Sequence, residues 1–271
     1  MKIVDRNFSQ TLERAEARAN AAFVESRARR DAALGAVWKE VGGAYAMFDG
    51  IGSPCTQTFG LGLFDEITNE RLDEIESFFT ERGSAVLHEV SPLADPSLMP
   101  MLNARGYQPI ELSSVMFREL GQGDMNGIAK HPRITTRVIE PDEVELWART
   151  SAAGWSTEHE SLGELMFDFG QVSAQCEGSF PYIAELEGTP IATGMMFIHG
   201  DAAMLAGAST ILEGRQKGAQ NALLDARLAH AAKLGATLAC MAALPGSQSQ
   251  RNAQKNGFAI AYTRIKWQLF P

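Results

Sequence analysis

A chain of 271 residues exceeds the usual size of one domain, so two compact units of roughly 120 to 140 residues each are expected. With 45% hydrophobic and 21% charged residues the composition is that of a globular protein, and no apolar run approaches the roughly 18 residues a membrane span requires. A net charge of −9 argues against a nucleic-acid surface, since that affinity rests on basic groups that neutralise phosphates.

The opening Met1-Lys2-Ile3-Val4-Asp5-Arg6 lacks the apolar core of a secretory signal, which points to the cytoplasm. Residues 10–34 are alanine-rich with interspersed Glu and Arg and no proline, the pattern of one long docked helix with Leu12 and Phe23 as its larger contacts. Strand-like runs follow at 44–48 and 56–64, separated by the turn-rich Asp49-Gly50-Ile51-Gly52-Ser53-Pro54. The pattern then predicts a helix at 69–81, a strand at 85–90, a helix at 96–104 and a strand from Gly106-Tyr107 to about Arg118.

Three glycines with Asp and Asn make 121–127, reaching to Pro132, the plausible linker. The expected division is therefore 1–123, a linker at 124–133, and 134–271. In the second part we expect a strand at 135–139, helices at 142–153 and 160–176, and strands at 182–187, 191–198 and 202–211. A helix at 219–234, a strand at 237–243, a helix at 247–256 and a strand at 258–269 complete the chain. Both halves thus share the order helix, Gly, strand, loop, helix, Gly-aromatic, strand, anchored by Gly83 and Gly106-Tyr107 against Gly235 and Gly257-Phe258. This suggests duplication of one α/β fold with a mixed sheet.

The most informative segment is Ser209-Thr210-Ile211-Leu212-Glu213-Gly214-Arg215-Gln216-Lys217-Gly218-Ala219-Gln220-Asn221, a strand end, a polar loop and a helix opening after Gly218. Such an arrangement aims first-turn N–H groups and the positive helix end at one place, a site suited to a pyrophosphate, with Arg215 and Lys217 adding charge at its rim. Here the sequence resembles the Gcn5-related N-acetyltransferases, whose loop reads Gln/Arg-x-x-Gly-x-Gly/Ala. Arg215 and Gly218 match, and Gln220 replaces the final small residue. The resemblance covers the whole second half. The first half is similar to a degenerate copy, because Gly60-Leu61-Gly62-Leu63-Phe64 precedes its helix without a basic loop.

The resemblance implies two tandem acyl-CoA N-acyltransferase-like domains, with acetyl-CoA (coenzyme A) bound by the second. The cofactor would contact Ser209, Thr210, Arg215, Gln216, Lys217, Gly218, Ala219, Gln220 and Asn221, with Ser249 and Asn252 of the penultimate helix. An amine, from a small molecule or a peptide, would attack the thioester directly. The family often places a tyrosine before the Gly-aromatic pair to protonate the departing thiolate, and Ala253 stands there instead. Tyr262 is a substitute acid to consider, and Glu158 and Glu160 are candidate bases beside the acceptor cleft.

The histidines show no ligand spacing and the three cysteines no CxxC, so no metal is expected. Gly60-Leu61-Gly62 invites a dinucleotide reading, but Asp65 stands where GxGxxG needs its third glycine. Two other functions remain open, a regulatory acyl-CoA-binding module and a longer-chain acyl or aminoacyl transferase. A homodimer contact through the first helix is a further possibility.

Overall fold

The computed structural model describes residues 2–126, 133–156 and 162–270. In chain order it holds α1 (Arg6–Arg30), β1 (Val37–Val41), β2 (Ala44–Phe48), β3 (Gln57–Phe59), α2 (Asn69–Thr80), β4 (Leu87–Val90), α3 (Leu98–Ala104) and β5 (Tyr107–Glu119). These are followed by β6 (Ile134–Val138), α4 (Val144–Trp155), α5 (Leu162–Ser173), β7 (Ser179–Leu186), β8 (Thr189–His199), β9 (Ala202–Thr210), α6 (Ala219–Lys233), β10 (Leu238–Ala243), α7 (Gln248–Lys255) and β11 (Ala259–Leu269). Among the described residues no helix is long and apolar enough to cross a membrane.

The chain divides into two compact units, one of Arg118–Met241 and the other of Met1–Phe117 with Ala242–Pro271. This division differs from a cut across 124–133, because the last helix and strand are built into the unit that holds the N-terminus. The reason is strand pairing: β11 lies between β4 and β5, antiparallel to both, with Ile265 opposite Val90 on one side and Leu112 on the other. The first part of the expected linker is also ordered. Arg118 pairs with Asp124, and the Gly121 N–H donates to Asp124 Oδ2 at 2.9 Å, closing a short 3₁₀ turn at Gln122–Asn126.

In the N-terminal unit the strands run β1-β2-β3-β4-β11-β5, all antiparallel except β3 with β4. Strand β1 was not expected from the sequence. Its alternating Val-Trp-Lys-Glu-Val closes onto β2 through Gly42 and Gly43, both at positive φ (55° and 77°), as a two-residue hairpin needs. Strand β3 is shorter than the expected 56–64, because Gly60 and Gly62 at φ 78° and 66° turn the chain away. Asp5 caps α1 by accepting from the Phe8 N–H at 2.8 Å, so the helix begins four residues before its expected start. Leu72, Ile75, Phe79, Val90, Leu98, Leu102 and Trp267 form the core between α2, α3 and the sheet.

In the other unit the order is β6-β7-β8-β9-β10, antiparallel except β9 with β10. Each unit therefore contains one parallel strand pair joined by a helix, β3-α2-β4 and β9-α6-β10. This repeat is the duplication expected from the glycine pattern.

Candidate functional site

Strand β9 reaches from Ala202 to Thr210, but β10 follows it only from Ala202 to Met204, where Cys240 is the last partner. Among the described residues, the edge of β9 that faced β10 has no strand paired with it from Leu205 onward. On the other edge β8 remains paired, with a register shift: Met195 opposes Ala206 while Thr193 opposes Ser209. One extra residue in β9 is accommodated there, and Gly207 takes φ 59°. The result is a bulged, open strand edge of the kind that accepts amide groups of an extended ligand as another strand would.

The loop after β9 begins with the 3₁₀ turn Leu212–Gly214, in which the Gly214 N–H donates to Ile211 O at 3.0 Å. A Cβ on Gly214 would lie 2.8 Å from Ile191 Cβ, so the loop is seated tightly on β8. Arg215, Gln216 and Lys217 are exposed, and Gln216 holds φ 59°, a strained value for a residue with a side chain. The exposed Glu213 offsets part of the positive charge of Arg215 and Lys217. Gly218, at φ 86° and ψ 5°, is the N-cap of α6 and provides no side-chain acceptor. The first intrahelical bond runs from the Ala222 N–H to Gly218 O at 3.0 Å. The N–H groups of Ala219 and Gln220 precede it and have no acceptor within the helix, which leaves them available to an anion.

Two side chains of the segment are turned inward. The Ser209 hydroxyl is buried, 3.1 Å from Ser151 O of α4 and 3.0 Å from Thr193 Oγ1. Gly154 of α4 makes room for it, since a Cβ there would sit 2.6 Å from Ser209 Oγ. Gln220 Nε2 donates to Ser209 O and Thr210 Oγ1, both at 2.8 Å, tying the start of α6 to the end of β9. At these two positions the side-chain donors are engaged within the protein. The residues named from the sequence between Ser209 and Asn221 are thus gathered on one strand-loop-helix segment.

The remaining candidates are on other elements. Ser249 is exposed on α7, and Asn252 Oδ1 accepts from Gln248 Nε2 at 2.7 Å; both belong to the N-terminal unit. Ala253 is buried. Tyr262 is buried in β11, with its hydroxyl donating to Glu13 Oε1 at 2.9 Å, and burial followed by the nearby Glu13 carboxylate pushes its phenol far above the ordinary range. Glu158 and Glu160 lie outside the described residues.

In the N-terminal unit the equivalent strand-loop-helix segment is filled by the protein itself. Arg6 Nε and Gln10 Nε2 of α1 each donate to Leu63 O at 2.8 Å, and Arg6 Nη2 donates to Gly62 O at 3.2 Å. The Phe64 ring lies so close that a Cβ on Gly60 would meet it at 2.8 Å. This loop turns carbonyls toward a cation and an amide of its own chain, Arg6 and Gln10, the opposite of a phosphate cradle, and it ends in Asp65 and Glu66 rather than in basic residues.

No protein-family model matches the sequence. No curated protein matches it either. The fold does match solved structures. A GCN5-related N-acetyltransferase from Kribbella flavida superposes with a TM-score of 0.65 over 94% of this chain and 95% of that one, at 18% identity. A tandem GNAT protein from the clavulanic acid biosynthesis pathway, solved without AcCoA, gives 0.61 over 98% and 97%, at 14% identity. A GCN5-related N-acetyltransferase from Sphaerobacter thermophilus gives 0.54 over 78% and 71%, at 15% identity. At these identities the likeness is one of fold.

Proposed function

We propose that this chain, which has the tandem fold of the Gcn5-related N-acetyltransferases, is an acetyl-CoA-dependent N-acetyltransferase with its working site at the end of β9 and the start of α6. The observation that carries this reading is the parting of β9 from β10 after Met204, directly ahead of a helix whose N-cap is the bare Gly218. The residues fit an acyl-CoA: an open strand edge for the amides of its arm, and backbone N–H groups with Lys217 and Arg215 for its pyrophosphate. Acetyl-CoA would supply an activated acyl group and a thiolate leaving group.

The protein's part is alignment. Backbone N–H groups near the Gly207 bulge hold developing negative charge on the acyl oxygen, and the strand edge fixes the thioester in register with the acceptor. Fixing two reactants in this way lowers a barrier by on the order of 7 to 11 kcal/mol, so a strong general acid is not required. This agrees with Ala253 at the usual acid position and with the commitment of Tyr262 to Glu13.

Two predictions follow from alignment as the main source of rate. Tyr262→Phe leaves turnover unchanged and lowers stability by roughly 1 to 2 kcal/mol, because Glu13 loses a donor. A fall in kcat of about a hundredfold would instead make the phenol an acid. Glu158→Ala and Glu160→Ala each change turnover little, and a collapse of kcat with cofactor affinity intact would assign a base.

The test of function is release of free thiol from acetyl-CoA with a panel of small amines and peptides, alongside calorimetry with acetyl-CoA and longer acyl-CoAs. Acetylation of any amine supports the proposal. Tight binding without transfer to any acceptor would favour a regulatory acyl-CoA-binding module, a preference for long chains would favour another acyl transferase, and a salt-sensitive association with transfer RNA would favour an aminoacyl transferase. The acidic balance of the chain speaks against the last.

A further inference from the structure

Helix α6 presents Leu223, Leu224, Leu228 and Ala231 inward, and among them stands an arginine, Arg227, only 4% exposed. A cation in such a place costs several kcal/mol in lost hydration unless strong bonds offset it. No carboxylate pairs with it among the described residues. Its Nε donates to Leu223 O of its own helix at 3.1 Å, and its Nη1 donates to Met195 O at 3.0 Å. The guanidinium lies against Gly194, where a Cβ would come within 2.9 Å of Arg227 Cζ. Met195 and Gly194 are the β8 residues at the register shift, opposite the extra residue that Gly207 and Ala208 introduce into β9.

We infer that Arg227 is a positioning residue, clamping the β8 side of the bulge so that the backbone of Gly207 and Ala208 keeps the conformation that meets the arm of the bound cofactor. The ligand half of this inference rests on the function proposed above; the clamp itself does not. A leucine at 227 would fill the space without desolvating a charge, but it would leave Met195 O without this donor. Burial lowers the guanidinium to about 10, so it stays charged at neutral pH and its bond to the carbonyl is charge-assisted.

The test compares wild type with Arg227→Met, which keeps length and loses the donors, Arg227→Lys, which restores a cation, and Gly194→Ala, which displaces the guanidinium without removing it. Amide hydrogen exchange is followed in ligand-free protein, and binding is measured for coenzyme A and for adenosine 3′,5′-bisphosphate, which lacks the arm. Faster exchange confined to 205–210 in Arg227→Met and Gly194→Ala, with Arg227→Lys closer to wild type, supports the clamp. Affinity for coenzyme A should then fall about tenfold while that for the bisphosphate stays within about twofold. Unchanged exchange at 205–210 in both variants, or a uniform rise across the whole unit with equal loss of both ligands, overturns it. If wild type binds neither ligand, the cofactor reading fails and the exchange pattern alone decides the clamp.

Discussion

Gly218→Asp is expected to abolish the thermal stabilisation that acetyl-CoA confers on the wild-type protein. Ligand at ~100 times Kd adds roughly 2.7 kcal/mol to a folded protein that binds it. For a unit of this size that is a rise in midpoint of about 5 to 10 °C. An aspartate at 218 places a carboxylate beside the start of α6, where its negative charge repels a pyrophosphate. It also adopts a left-handed conformation at a cost of about 1 kcal/mol, since the native φ is 86°. Gly218→Asn separates the two effects, because it carries a similar backbone cost without the charge and should keep part of the shift. A full shift in the aspartate variant would remove the pyrophosphate from this loop. Absence of any shift in wild type, with acetyl-CoA and other acyl-CoAs at millimolar concentration, would remove the transferase reading altogether.

The second large effect concerns the N-terminal unit, where Arg264 is buried beneath α1. Its guanidinium contacts Glu16 at 2.6 and 2.8 Å and Glu13 at 3.3 Å. Its Nε lies 2.9 Å from Glu89 Oε2, within ion-pair distance but out of line for a hydrogen bond, and Lys266 shares Glu89 at 3.2 Å. Arg264→Met leaves three carboxylates facing one another around a lost cation, and a cost of about 3 to 5 kcal/mol is expected. Hydrogen exchange in α1 and β11 reads it; unchanged protection there would mean the cluster is solvated and of little energetic weight.

The same cluster gives a pH dependence whose sign is fixed by Glu13. Burial, opposed by Arg264 and reinforced by Glu16, raises its carboxyl from 4.5 to about 7 in the folded protein. Between those values the unfolded chain has released the proton that the folded one retains, so the stability Glu13 contributes is highest below about pH 4.5 and falls as pH rises toward 7. Glu13→Gln should flatten that fall across pH 5 to 7 while keeping an acceptor for Tyr262. Parallel curves for the variant and wild type would assign the dependence to another group.

What the sequence displays best is local. The polar loop with Gly218 and the glycine punctuation of the repeat survive in the structure because turns and helix starts are decided by a few adjacent residues. The expected strand at 202–211 carried no bulge, although a glycine within a strand, here Gly207, is a sign of one. Strand exchange was not readable, since the alternating residues of β11 fit any antiparallel neighbour and nothing in them names β4 and β5 as partners. Nothing local in the sequence marks Arg227 and Glu13 as buried, because their burial depends on contacts with Gly194, Met195 and Arg264 that are distant in the chain. The hairpin at Gly42-Gly43 was legible and missed.

Because β11 is inserted between β4 and β5, the ribosome must pass residue 269 before the unit that holds β1 to β5 can close its sheet. The unit formed by Arg118–Met241, being continuous, faces no such delay. Synthesis therefore reverses the usual order in which the earlier-made domain matures first, and the segment bearing the Gly218 loop is complete while α1 and its neighbours are still waiting for β11. A messenger truncated after residue 241 would yield a nascent protein with its later-made unit whole and its earlier-made unit open.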